Sequence, residues 1–415
     1  MEALRVAIVA GEHSGDALGA ALIQALRSEL AGRALEVRGV AGPAMRAAGC
    51  QALADAHELA VMGLIEPLRH LPRLLALRSR LLSELLAFRP HVFIGVDAPA
   101  FNLTLAGRFR AQGIRTVQYV SPQIWAWRQG RARKIARRCD LVLCLLPFEP
   151  AFYAHYAVHA QFVGHPLADQ VPLEPDVPAA RAVLGLSDRP VLALLPGSRL
   201  GEVQRLSAPF LLAAAALVQA HPGLQVTAAM ANRAVRDEFE RIHAGLAAQG
   251  RLAALTQLQI LDGQARTALT AADVALVASG TASLEALLCR CPMVVAYRVS
   301  ALTAALVRSF RLVRLARFSL PNLLAGEALA PEFFQEAAIA ANLWRAADRL
   351  LTDTARRDHL KRRFRAVHEL LRADGATRAA QAVLALLGGT ATGERAGRGD
   401  EGAGDASAAA DGRCG

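Results

Sequence analysis

Short apolar runs alternate with helically spaced segments along almost the whole chain, and this restricts the fold more than any other feature. In the first half the strand candidates are Val6–Ala10, Glu36–Val40, Val92–Val96, Thr116–Val120, Leu141–Leu145 and Gln161–Val163. In the second half they are Val191–Leu195, Gln225–Ala229, Leu258–Leu261, Val274–Val277 and Val294–Tyr297. Near-continuous Val, Ile, Leu and Ala in a strand implies burial on both faces. Strands separated by helices imply parallel pairing, with helices covering both sides of the sheet. The expected fold class is therefore α/β, with doubly wound parallel sheets. At 415 residues, two domains are the natural division.

Pro166–Pro190 is rich in Pro and Asp, has weak periodicity, and reads as a linker. The expected units are residues 1–170, a linker over 171–190, and a second domain over 191–350. After Leu343 the pattern turns helical, at Trp344–Thr352, Arg356–Ala373 and Thr377–Leu387. Residues 389–415 are Gly-, Ala- and Asp-rich and are expected to be a disordered tail.

The formal net charge is +11, and Lys134 and Lys361 are the only lysines, so arginine supplies nearly all the positive charge. Such a balance points to an anionic partner: nucleic acid, a membrane surface or a phosphorylated substrate. No run of ~18 apolar residues lacks a charge, and the first residues lead into a strand without a signal pattern. The six cysteines have no zinc spacing and read as buried thiols of a reducing compartment.

Chemistry concentrates where strands end. After the first strand, Ala10–Asp16 reads Ala-Gly-Glu-His-Ser-Gly-Asp. Its Gly15 turn puts backbone N–H groups at a helix start, but Glu12 and Asp16 would repel a nearby phosphate. Together with Ser14 they suit sugar hydroxyls or proton transfer. The alternative is an ordinary turn capped by Ser14 and Asp16. Val92–Val96 ends in Asp97-Ala98-Pro99, where a carboxylate can act as general base on a hydroxyl, or cap the next helix.

Val191–Leu195 runs into Gly197-Ser198-Arg199, followed by Glu202 and Gln204. Backbone N–H groups, a hydroxyl and a fixed cation suit a diphosphate; a plain turn with a surface arginine is the alternative. Val274–Val277 runs into Ser279-Gly280-Thr281, an anion site at a helix start, with Glu285 placed to accept from ribose hydroxyls. A capping box is the competing account, although Thr281 and Glu285 are four apart rather than three. Tyr119–Arg128 is an aromatic loop in which Trp125 offers a face to a sugar ring or an acyl chain, or simply packs in the core. Leu59–Phe88 and Leu306–Phe318 mix arginines with apolar residues, as membrane-surface segments do, and as amphipathic core helices also do, while Arg128–Arg138 is a charged run that reads as a solvated basic helix or as a contact for anionic headgroups.

Taken together, and in this order, the motifs resemble the lipid A disaccharide synthase family. They are Ala-Gly-Glu-x-Ser-Gly-Asp (10–16), Ala-Val-Met-Gly (60–63), Gly-Val-Asp-Ala-Pro (95–99) and Tyr-Val-Ser-Pro-x-x-Trp-Ala-Trp-Arg (119–128). Leu-Pro-Phe-Glu (146–149), Phe-Val-Gly-His-Pro (162–166) and Leu-Leu-Pro-Gly-Ser-Arg (194–199) follow. Ala-Ser-Gly-Thr-Ala (278–282) and Ser-Leu-Pro-Asn-Leu-Leu-Ala-Gly (319–326) complete the series. The resemblance implies an inverting glycosyltransferase of the two-domain GT-B type, with an acceptor-binding first domain and a UDP-sugar-binding second domain. By analogy with that fold, helices over 351–388 would pack back on the first domain.

The implied substrates are UDP-2,3-diacylglucosamine and 2,3-diacylglucosamine 1-phosphate. By the same resemblance Asp97 is the base, Arg199 contacts donor phosphate, Asn322 is a further functional position, and Glu12, Ser14 and Asp16 form the first-loop site. The resemblance further implies an anionic membrane surface on the cytoplasmic side as a partner, and no nucleic acid; it allows a homodimer. No Asp-x-Asp metal motif stands where one would be needed, so neither an obligatory metal nor another cofactor is expected. His91 and Ala100 depart from the family, which commonly has Asp at both positions. Ala100 leaves Asp97 as the only acid in its turn. Two other readings remain at this stage: a UDP-sugar epimerase on the same fold, and a non-enzymatic protein binding membranes or nucleic acid.

Overall fold

The computed structural model describes residues 2–59, 71–127, 129–299 and 317–388. Within them, thirteen strands form two wholly parallel sheets. The first comprises β1 (Leu4–Ala10), β2 (Leu35–Ala41), β3 (Cys50–Asp55), β4 (Val92–Val96), β5 (Arg115–Tyr119), β6 (Leu141–Cys144) and β7 (Ala160–Phe162), in the order β3-β2-β1-β4-β5-β6-β7. The second comprises β8 (Val191–Leu195), β9 (Gln225–Met230), β10 (Gln259–Asp262), β11 (Val274–Ala278), β12 (Met293–Tyr297) and β13 (Glu332–Phe334), in the order β10-β9-β8-β11-β12-β13.

β1 shows why the sequence folds this way. Val6, Ile8 and Ala10 face one apolar layer, with the helices His13–Glu29 and Gly375–Gly388. Ala7 and Val9 face the other, with the helices Leu71–Ala87 and Pro99–Ala111. Successive side chains point to opposite faces, so a strand apolar at every position requires cover on both. Phe93 and Phe109 stack at 4.6 Å and fix the Pro99–Ala111 helix to β4.

Both strand orders reverse beside the first strand of their sheet, between β1 and β4 and between β8 and β11. Adjacent strands whose connections leave in opposite directions open a crevice at their C-terminal ends. Ala10 lies level with Val96, and Leu195 with Val277, so paired loops leave each crevice at the same height.

Several expectations need correction. β3 and β13 lie at sheet edges and are only partly buried, so they lack the apolar run that marks the inner strands. The expected linker contains the helix Val177–Leu184, capped by Asp176 accepting from Ala179 N at 2.9 Å. Helix Thr354–Leu371 packs mainly on the second unit, with Leu360 and Phe364 in its core; only its last turn meets the end of the first, where Leu371 O accepts from His165 N at 2.9 Å and His368 Nε2 lies 3.0 Å from Ala168 O. The return comes later, at Arg372–Asp374, and only Gly375–Gly388 packs against His13–Glu29. Asp169 caps that last helix, accepting from Ala373, Asp374 and Gly375 N at 3.2, 3.2 and 2.9 Å.

Among the described residues, one helix, Leu200–Ala220, is long and apolar enough to cross a membrane by length and composition. Its Leu206, Phe210, Leu211 and Leu217 are wholly buried in the second core, which accounts for its apolar character. The tail 389–415, the Ala-Val-Met-Gly motif, and most of Leu306–Phe318 lie outside the described residues.

Candidate active site

The turn after β4 is built under strain. β4 is fully buried, then Asp97 and Ala98 both take left-handed backbone conformations, at φ 52° and 40°. Such conformations cost about 1–3 kcal/mol each at non-glycine residues and persist where surroundings fix them. Pro99 then starts the helix with φ already set. Burial raises the Asp97 carboxyl above the usual carboxylate range, against one hydrogen bond from the Ala98 backbone that lowers it. A carboxyl raised in this way is a better proton acceptor once ionised.

The loop after β1 presses on that turn. A Cβ at Gly11 would lie 2.5 Å from Ala98 Cβ, so only glycine fits. Glu12 sits at the N-cap of His13–Glu29 with no side-chain cap bond, and both Glu12 and Ser14 are exposed. Gly15 is buried against Val96. Asp16 departs from the catalytic expectation. Its carboxylate is 1% exposed and accepts from the backbone N–H groups of Gly42, Ala44 and Met45 at 2.8, 2.9 and 3.1 Å. Three donors occupy its two oxygens, so it holds the turn after β2 and starts the helix Pro43–Ala47.

Trp125 is likewise built into the protein rather than presented as a platform. It is 9% exposed, packs edge-on against Phe148 at 4.9 Å, and donates from Nε1 to Glu149 Oε1 at 3.1 Å. The other Glu149 oxygen accepts from Leu146 N at 3.0 Å. Burial pushes the Glu149 carboxyl up to about 7 despite these hydrogen bonds. Glu149 begins the helix Glu149–Ala154, and nothing in the sequence distinguishes such a buried acid from an ordinary N-terminal helix acid.

At the second crevice, Gly197 has φ 132°, and Glu202 closes the turn by accepting from Ser198 N and Arg199 N at 3.1 and 3.3 Å. The Arg199 side chain is 81% exposed and lies 3.9 Å from Glu202, leaving its guanidinium open to a ligand. Gln204 is exposed and hydrogen-bonds Glu238. Beside this turn, Ser279 N donates to Ala296 O at 2.9 Å, Gly280 has φ 135° with open space at its Cβ position, and exposed Thr281 begins the helix Thr281–Leu288. Glu285 is one turn further on; burial raises its carboxyl and nearby Arg266 opposes the shift.

Asn322 is also a holding residue. At 1% exposure it donates to Ala330 O and accepts from Leu329 N and Ala330 N, all at 2.8 Å. It shapes the loop before β13. His91 lies at the opposite end of β4 from the crevice; its Nδ1 accepts from Arg5 N at 3.0 Å and ties β4 to β1. No cluster of His, Cys, Asp and Glu suited to a metal ion occurs among the described residues. A cavity of about 470 Å³ lies off both crevices, at the ends of β9 and β10, where Arg236 is already paired with Glu240 and Asp262.

Solved structures share this architecture. A putative UDP-N-acetylglucosamine 2-epimerase from Listeria monocytogenes superposes with a TM-score of 0.59 at 13% identity, covering 95% of this chain and 98% of that one. HepE from Anabaena in complex with UDP gives 0.56 at 15% identity, covering 93% and 99%. At such identities the likeness establishes the GT-B fold alone. Sequence similarity goes further. The family described as Lipid-A-disaccharide synthetase matches residues 6–386. Lipid-A-disaccharide synthase from Sodalis glossinidius is 50% identical over 387 residues, covering 92% of this chain and 98% of the relative. The Xylella fastidiosa enzyme is 48% identical over 388 residues, covering 93% and 99%. This match removes the epimerase and non-enzymatic readings: the chain belongs to the lipid-A-disaccharide synthase family, glycosyltransferases of lipopolysaccharide biosynthesis.

Proposed function

We propose that the protein transfers a 2,3-diacylglucosaminyl unit from its UDP derivative to the 6-hydroxyl of 2,3-diacylglucosamine 1-phosphate. The acceptor oxygen gives its proton to Asp97 and bonds to the sugar C1. The bond from C1 to the diphosphate breaks on the opposite face, and UDP leaves. The products are a β-1,6-linked disaccharide 1-phosphate and UDP. Arg199 and the backbone N–H groups at Ser279–Thr281 stabilise charge on the departing diphosphate. Glu12 and Ser14 contact the sugar from the loop beside Asp97, while Asp16, Trp125 and Asn322 act by holding loops in place.

The observation that carries this reading is the pairing of opposite chemistries at two equivalent crevices. A half-buried carboxyl with a raised proton affinity stands at the first, and an open guanidinium beside a helix start at the second. A hydroxyl acceptor needs the former, and a diphosphate leaving group the latter.

We further propose that the protein works at the anionic cytoplasmic face of a membrane. The formal net charge of +11 supports this, as does the helix Leu71–Ala87, which exposes Leu75 on one face and, on another, Arg73 and Arg80, near Glu58 and Glu84 at 3.7 and 3.8 Å. Sedimentation with anionic but not zwitterionic vesicles supports this, and equal behaviour with both contradicts it. The transfer is tested by following UDP release from UDP-2,3-diacylglucosamine with and without the acceptor. Acceptor-dependent release with a disaccharide product by mass spectrometry is expected. Release independent of acceptor, or none from folded protein in detergent, would overturn it.

A further inference from the structure

We propose that Asn102 and Gln118 are positioning residues for transfer, locking the Asp97 backbone so that its carboxyl is presented at the crevice; this rests on Asp97 being the base. Asn102 is 0% exposed, and its Nδ2 lies within hydrogen-bond distance of three carbonyl oxygens: Val9 at 3.1 Å, Val96 at 3.3 Å and Asp97 at 2.9 Å. One amide thus ties the ends of β1 and β4 to the strained turn. Gln118, 1% exposed, reaches the same Asp97 carbonyl from β5 at 3.1 Å, and the carbonyls of Tyr119 and Val120 at 3.3 Å each. Asp97 N donates in turn to Tyr119 O at 2.8 Å, so its peptide groups are held from both sides.

Two features separate this arrangement from ordinary packing. First, the amides trade their own satisfaction for the turn. Asn102 Oδ1 and Gln118 Oε1 are buried without a partner among the described residues. Leaving a buried acceptor unmet is unfavourable, so these side chains are poor choices for stability alone. Second, three left-handed non-glycine residues cluster at the turns they hold: Asp97, Ala98 and Val120, with Val120 at φ 74°. Gly95 makes the space. A Cβ there would lie 2.6 Å from Asn102 Cβ and 3.2 Å from Gln118 Oε1. Released from these donors, the Asp97 turn relaxes toward an unstrained conformation and its carboxyl moves into water. Misplacing a reacting group by about 1 Å costs on the order of 100-fold in rate.

The test compares Asn102→Ala and the near-isosteric, uncharged Gln118→Met with wild type and with Asp97→Asn, measuring kcat, donor KM, UDP affinity, thermal stability and the pH dependence of kcat. Gln118→Met removes the donor while keeping the volume, and decides the matter if Asn102→Ala does not fold. The expected result is a fall in kcat of about 100-fold, with donor KM and UDP affinity unchanged because the donor site lies on the other sheet. The acid limb of the profile should move to lower pH as Asp97 becomes hydrated. Wild-type kcat and pH profile in folded variants, alongside an inactive Asp97→Asn, would overturn the positioning role alone. Lower kcat with an unmoved acid limb and matching loss of stability would reduce both residues to structural ones. Near-normal turnover by Asp97→Asn would instead overturn the base assignment beneath it.

Discussion

The indole Nε1–H of Trp125 donates to Glu149 at 3.1 Å, and through that bond the turn after β5 is fastened to the turn after β6. The acid that makes the bond is itself held near neutrality, raised from 4.5 to about 7 by burial. Folding therefore favours its protonated form. Between about 4.5 and 7 the folded chain binds more proton than the unfolded one, so this group's contribution to stability falls as pH rises through that window and is lost above it. Glu149→Gln cannot titrate. Its melting temperature relative to wild type should rise by several degrees between about pH 5 and 8. A constant difference across that range would show that Glu149 does not titrate there.

Asp16 should prove to be a holding residue. Its carboxylate accepts three backbone hydrogen bonds at the start of Pro43–Ala47. Asp16→Asn replaces one acceptor oxygen with a donor facing backbone N–H groups. Bonds to charged groups are worth roughly 1.5–3 kcal/mol, so a loss of about 2 kcal/mol in stability is expected. Substrate KM should be nearly unchanged in the remaining folded protein. Unchanged stability with a raised KM would restore a direct substrate role.

Arg199 should act on UDP. Its guanidinium is exposed and not fixed by close pairing. Arg199→Ala is expected to weaken UDP binding roughly 10- to 100-fold, the range of a hydrogen bond between charged groups, with the melting temperature unaffected. Calorimetric titration with UDP measures this directly, and unaltered affinity would remove Arg199 from the diphosphate site.

Gly11 tests the contact between the two first-crevice loops. The Cβ added by Gly11→Ala would lie 2.5 Å from Ala98 Cβ, which must shift with the turn that carries Asp97. A drop in kcat of at least about 10-fold is expected, since small displacements of reacting groups are costly. UDP affinity should persist. Wild-type kcat would mean that the loop yields without disturbing Asp97.

What the sequence revealed followed burial. β1, β4, β8 and β11 are apolar at nearly every position because both faces are covered, so they and their terminal loops were readable. The chemistry-bearing loops were found for the same reason: Asp97 and Arg199 interrupt apolar runs. Edge strands β3 and β13 carried no such contrast. Roles were harder to read than positions. Asp16, Trp125 and Asn322 look like ligand contacts as residue types, yet each spends its polar atoms on the protein itself. Asn102 and Gln118 were invisible, because their importance depends on carbonyls contributed by three strand ends. His91 stands at the N-terminal end of β4, remote from the crevice, where its Nδ1 accepts from Arg5 N and joins two inner strands.

The central claim is that Asp97, at the crevice between β1 and β4, accepts the acceptor's proton. Its most direct test is the turnover of Asp97→Asn under saturating donor and acceptor, with UDP affinity and melting temperature measured on the same sample. General-base catalysis typically contributes about 10²–10⁴ in rate, so a loss within that range, with UDP binding and fold intact, is predicted. Turnover within a few-fold of wild type would contradict the account and move the base elsewhere on the first-crevice loops, with Glu12 the next residue to test.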